Sequence, residues 1–187
     1  MADQGTQGWL SPYLRAQRMD AARPYLHGRV LDFGCGSGAL ADLVPPHQYI
    51  GVDVDSLSLQ QARLKYPNHR FLPSPPESSE RFQTVVSLAV IEHVHDPVDF
   101  LQRLAGYLDD TPGARILITT PHPAAGWIHD VGARIGLFSR DASEEHHELL
   151  DEKRLSSVGE QAGLKISAYH RFLWGANQLA IFERGSR

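Results

Sequence analysis

Short apolar runs alternate with longer amphipathic stretches along most of the chain. Runs of about four to eight apolar or β-branched residues, bounded by polar, glycine or proline clusters, read as buried strands. They fall at 29–33, 48–53, 69–72, 83–88 and 115–119, with two more at 165–173 and 177–183. The segments between them carry helical signals. A leading helical segment spans 9–26, with Leu10, Leu14 and Tyr25 among its apolar positions. A helix from Ser37 to Leu43 is stopped by Pro45 and Pro46. Asp55 is placed to cap a helix that ends before Pro67. Asp96 and Pro97 start another, because aspartate caps and proline suits the first turn. Phe100, Leu101, Leu104 and Leu108 mark one face of it. The last helix, 151–162, closes on Gly163. Strands alternating with helices predict a doubly wound α/β sheet that ends in a strand pair.

The first strand runs into a turn with its own chemistry. Residues 30–38 read VLDFGCGSG, with an acid, Asp32, followed by Gly34, Gly36 and Gly38 around Cys35. Glycine lacks a Cβ, so backbone N–H groups can approach a ligand closely, beside the N-terminus of a following helix. A pyrophosphate turn uses G-x-G-x-x-G. Here the spacing is G-x-G-x-G, and an acid at its mouth suits a cation better than a diphosphate. A second acid, Asp53, ends the next strand in YIGVDVD, where a carboxylate can accept both hydroxyls of a ribose.

This pattern resembles motif I of class I S-adenosylmethionine-dependent methyltransferases, and the resemblance runs from about Tyr13 to Phe182. It implies a Rossmann-like doubly wound seven-stranded, mostly parallel sheet with a C-terminal antiparallel strand pair. It also implies S-adenosyl-L-methionine as cofactor, whose amino-acid tail carries an ammonium. Asp32, Gly34, Cys35, Gly36, Gly38, Asp53 and Val54 would then surround the cofactor. An NAD-binding enzyme is the nearest competitor, because it would use Asp53 in the same way, but it has six parallel strands and no such ending. Relatives commonly place an acid beside the adenine after strand three. The loop here, LPSPPE from Leu72, has none at that place, which leaves Ser74 or backbone groups.

The end of strand four reads SLAVIEHVHDP over 87–97 and looks like motif IV of the small-molecule branch, which includes quinone, sugar and natural-product enzymes. Leu88 and Ala89 would pass the methionine part of the cofactor, and Glu92 and His93 would begin the acceptor wall. An imidazole is well matched to taking a proton near neutral pH. Some relatives carry E-x-x-E-H here and bind a divalent metal with a later histidine. Ala89 replaces the first glutamate, so no metal is assigned, although Glu92, His93 and His146 or His147 could form a one-Glu, two-His set. His146, in EEHHELLD, is the other candidate base. Glu92 could equally be a structural hydrogen-bonding group, and the EEHH stretch a solvated charged turn. The resemblance also makes 1–28 a helical cap over the cofactor, with Tyr13, Arg15 and Arg18, and 122–147 an acceptor lid. Trp127, Ile128, Val131, Ile135 and Phe138 share a helical face in that lid segment.

Composition narrows the partners. The chain has 187 residues and a formal net charge of −4, with no Lys/Arg-rich run, so no nucleic-acid footprint is expected. One cysteine cannot form an intrachain disulfide. No apolar run is long enough to span a bilayer and no signal-peptide pattern is present, so a single cytoplasmic domain is expected. The reading is a methyltransferase acting on a small molecule, at a hydroxyl oxygen. N- or C-methylation and a non-catalytic adenosyl-ligand-binding scaffold are the alternatives.

Overall fold

The computed structural model describes residues 10–125 and 150–185. Seven strands form one sheet: β1 (Val30–Phe33), β2 (Tyr49–Val52), β3 (Arg70–Leu72), β4 (Thr84–Leu88), β5 (Arg115–Pro121), β6 (Leu164–Phe172) and β7 (Asn177–Arg184). The spatial order is β3-β2-β1-β4-β5-β7-β6. The first five strands pair in parallel, and β7 runs antiparallel to both β5 and β6. This is the expected mostly parallel seven-stranded sheet with its closing antiparallel pair.

Helices cover both faces, which explains why the central strands are apolar on alternate and adjacent positions alike. The helices are α1 (Leu10–Ala22), α2 (Ser56–Lys65), α3 (Pro97–Gly106) and α4 (Glu152–Gln161). α3 and α4 bury Leu101, Leu104, Leu155 and Val158 against Leu31, Val85, Ile116 and Phe182. On the other face α1 and α2 bring Ala22, Leu59 and Ala62 onto Val30, Val86, Leu117 and Ile181. Each fully buried leucine contributes roughly 1.5–3 kcal/mol relative to an exposed one, so these two layers fix the sheet that presents the site.

Local signals start α2, α3 and α4 where the sequence places them, whereas α1 gives way to a 3-10 turn after Ala22, short of residue 26, and α3 ends at Gly106, before Leu108, which bridges to Phe82. Asp55 accepts from the N–H groups of Leu57 and Ser58, and Asp96 from those of Val98 and Asp99. Asp151 accepts from Arg154 N–H in the same way. Gly163 follows α4 with a φ of +77°. The segment after the glycine turn differs from expectation. It is a 3-10 helix over Ala39–Leu43, with Gly38 left-handed at its N-cap, rather than an α-helix from Ser37. The stretch between Gly38 and the Pro45-Pro46 stop is too short for α-helical bonds to accumulate.

Candidate functional site

The carboxyl ends of β1 and β4 border a cleft of about 250 Å³, closed on one side by α1. Its lining includes Asp32, Gly34, Cys35 and Gly36 from the turn, Leu88 and Ala89 from the end of β4, and Arg15, Arg18 and Met19 from α1. Asp32 is 3% exposed and accepts a 2.7 Å hydrogen bond from the Tyr49 hydroxyl. Burial raises its carboxyl from 3.8 to about 7; the Tyr49 bond opposes that rise and the Asp53 charge adds to it.

Asp53 ties the turn to the end of β2. Its Oδ2 accepts from Gly36 N–H at 2.7 Å and its Oδ1 from Asp55 N–H at 2.9 Å. The N–H groups of Gly34 and Cys35 both donate to the Val52 carbonyl, at 2.8 and 3.0 Å. Asp53 and the turn therefore form one hydrogen-bonded unit, while Asp32 is tied to the start of β2 through Tyr49. Gly34 is required by space as well as by its φ of +83°, since a Cβ there would lie 2.4 Å from Val90 Cγ2. Cys35 is buried, and burial, followed by the charges of Asp32 and Asp53, pushes its thiol up, which keeps it protonated and poorly nucleophilic. Ala89 has a φ of +57° although it is not glycine, and its N–H donates to Thr119 carbonyl at 2.9 Å. Of the other residues expected around a cofactor, Gly38 is buried and Val54 and Ser74 are exposed, and none of the three lines the cleft.

The start of the expected acceptor wall is a 3-10 turn over Ile91–His93. Glu92 is buried and His93 is exposed. Burial raises the Glu92 carboxyl, and its own backbone N–H and the charges of His93 and Arg18 pull it back. The Thr120 hydroxyl beside it also favours the charged form, and Glu92 Oε2 and Thr120 Oγ1 are both buried. Arg18, half-buried, donates from Nε to Asn177 Oδ1 at 3.1 Å, so β7 and α1 meet at the cleft edge. Asn177 lies 159 residues from Arg18, and no local sequence signal points to it. Tyr49 was also not singled out by the sequence; its Tyr-x-Gly spacing against Asp32 carries meaning only once the strand register is known. His146, the apolar stripe from Trp127 and most of the expected lid lie outside the described residues. Among the described residues no group of three His, Cys, Asp or Glu could hold a metal ion.

A glycine turn flanked by two strand-end acids, on a sheet closed by an antiparallel pair, defines a Rossmann-like site for a ligand that is not a simple dinucleotide. Residues 7–169 match the methyltransferase domain family, and the chain belongs to that family. It is 26% identical over 152 residues to a ubiquinone biosynthesis O-methyltransferase of Aeromonas salmonicida (strain A449), covering 74% of this chain and 63% of the relative. It is 31% identical over 129 residues to a tRNA U34 carboxymethyltransferase of Geobacter sp. (strain M21), covering 60% of this chain and 38% of the relative. The chain thus spans less than two thirds of the length of either. Its fold is similar to that of magnesium protoporphyrin IX methyltransferase from Synechocystis PCC 6803 with bound SAH, with a TM-score of 0.68, 16% identity, and coverage of 98% of this chain and 90% of that one.

Proposed function

We propose that the chain transfers a methyl group from S-adenosylmethionine to a hydroxyl oxygen of a small molecule. The observation that carries this reading is the buried Asp32 carboxylate lining a cleft whose turn is held by Asp53. The residues present fit the cofactor: an acid for its ammonium, a second acid for its ribose hydroxyls, and a turn at Gly36 where a Cβ would meet nothing within 4 Å. When bound, S-adenosylmethionine supplies a methyl group already activated on sulfur.

The chain's own residues then bind and orient. Asp32 receives the amino group and Asp53 the ribose. The Gly34–Gly38 backbone follows the ligand, Leu88 and Ala89 bound its methionine side, and Val54 and Ser74 edge the adenine side. Because the donor is activated, alignment of donor and acceptor is the protein's main contribution. A hydroxyl acceptor also has to lose a proton, and His93 or His146 is placed in sequence to take it, with Glu92 beside His93. Similarity to the ubiquinone O-methyltransferase supports oxygen as the acceptor atom. The absence of a Lys/Arg-rich run favours a small molecule over RNA, although one relative acts on tRNA. Among the described residues no helix is long and apolar enough to cross a membrane, and a cytoplasmic location is part of this reading.

Incubation of methyl-labelled S-adenosylmethionine with a cell extract, followed by separation of metabolites from RNA and protein, tests the reading. Label is expected in a metabolite as an O-methyl group. Label in RNA or protein alone would overturn it.

A further inference from the structure

Tyr49 opens β2, four residues before Asp53, and nothing in the glycine turn requires it. Its side chain is 1% exposed. The register places Asp32 of β1 directly opposite Gly51 of β2. Tyr49 is two residues earlier on β2, so it shares the face of Gly51 and stands diagonal to Asp32. The phenol reaches Asp32 because Gly51 has no side chain. A Cβ at Gly51 would lie 2.9 Å from Tyr49 Oη, 2.9 Å from Cys35 Sγ and 2.8 Å from Phe71 Cδ1. The ring is held edge-on by His69 and Phe71, with centroids 5.4 and 5.6 Å away. A rigid donor is thus aimed through a gap left for it, onto the buried acid that lines the cleft among the described residues, at 2.7 Å.

We infer that Tyr49 is a positioning residue: its hydroxyl, passing over Gly51, orients the Asp32 carboxylate toward the cleft and favours its charged form, and so makes the cleft selective for a ligand with a cationic amino group. A phenol at this depth keeps its own proton, since burial, followed by the neighbouring Asp32 charge, raises it well above the ordinary tyrosine range. It therefore acts only as a donor, and donation favours the charged form of its acceptor. The other titratable groups around Asp32 are Asp53 beyond β2, Cys35 in the turn, and Arg15 and Arg18 on α1 across the cleft; β4 contributes only Leu88 and Ala89. Asp53 disfavours the Asp32 charge, and Cys35 is neutral. Tyr49 is the group whose hydrogen bond opposes the burial of Asp32.

The inference rests on the donor reading above, and two probes separate them. S-adenosylhomocysteine carries the amino-acid tail, whereas 5′-methylthioadenosine lacks it. In the wild-type protein, affinity for S-adenosylhomocysteine is expected to fall as pH drops through about 7, as Asp32 takes up a proton. Tyr49→Phe keeps the ring and removes the donor. It is expected to weaken S-adenosylhomocysteine about tenfold at pH 7, to move the acid limb up by about one pH unit, and to leave methylthioadenosine unchanged at every pH. In the ligand-free protein, the Asp32 carboxyl followed by carbon NMR should titrate correspondingly higher in Tyr49→Phe. Equal weakening of both probes, or an unmoved acid limb with an unmoved Asp32 titration, would overturn the positioning role. Failure of the wild-type protein to bind S-adenosylhomocysteine would overturn the donor reading itself.

Discussion

Asp32→Asn separates what this acid does for binding from what it costs the fold. A carboxyl near 3.9 in the unfolded chain stands at about 7 in the folded one, because burial disfavours its charge. Between these values the folded state binds more protons than the unfolded state, so stability falls as pH rises. The cost begins near pH 4 and is fully present above pH 7. At 1.36 kcal/mol for each tenfold, its ceiling is roughly 4 kcal/mol. Asparagine keeps an oxygen for the Tyr49 hydroxyl and removes the charge. The ligand-free variant should therefore be more stable than wild type at pH 8, by about 2–4 kcal/mol, and close to it at pH 4.5. In a chain of this size that corresponds to a melting-temperature gain of roughly 4–16 °C at the alkaline end. Urea denaturation of both proteins from pH 4.5 to 8.5 measures the difference directly. The same variant should bind S-adenosylhomocysteine at least about tenfold more weakly. A variant less stable than wild type at pH 8, or a stability difference that does not change with pH, would refute the reasoning.

Other substitutions probe separate parts of the site. Gly34→Ala should destabilise by about 2 kcal/mol or more in chemical denaturation, because its Cβ would meet Val90 at 2.4 Å on a backbone with positive φ. Ala89→Gly should stabilise by about 1 kcal/mol in the same assay by relieving a φ of +57°, and a loss of stability would show that the conformation is unstrained. Glu92→Ala removes the carboxylate that faces half-buried Arg18 and should cost about 1–3 kcal/mol, read from thermal melts with and without an added Arg18→Met change that should recover part of it. Replacing His93 and His146 together by alanine should lower turnover at least about 100-fold with little change in donor affinity, and wild-type turnover would exclude both as bases.

The sheet and its glycine turn are legible in the sequence because they rest on local signals. Apolar runs ended where polar residues clustered, and Asp55, Asp96 and Gly163 marked helix ends that the structure keeps. Asp32 and Asp53 were legible as strand-end acids. What stayed hidden depended on register or on distance along the chain. The Tyr49–Asp32 bond needs Asp32 opposite Gly51, a pairing that no spacing in either strand reveals. The Arg18–Asn177 bond joins the first helix to the last strand. Ala89 takes a left-handed backbone without the glycine that would announce one. The 3-10 helix over Ala39–Leu43 was misread as α-helical because its apolar spacing is the same over so few residues.

If Asp32 and Asp53 make this cleft a site for an adenosyl amino acid, removing either carboxylate weakens the binding of one. Calorimetric titration of S-adenosylhomocysteine into the wild-type protein, Asp32→Ala and Asp53→Ala at pH 8 tests it most directly. Saturable binding to the wild type is expected, with a loss of about tenfold or more in each variant and folding intact by circular dichroism. Unchanged affinity in both variants would contradict it.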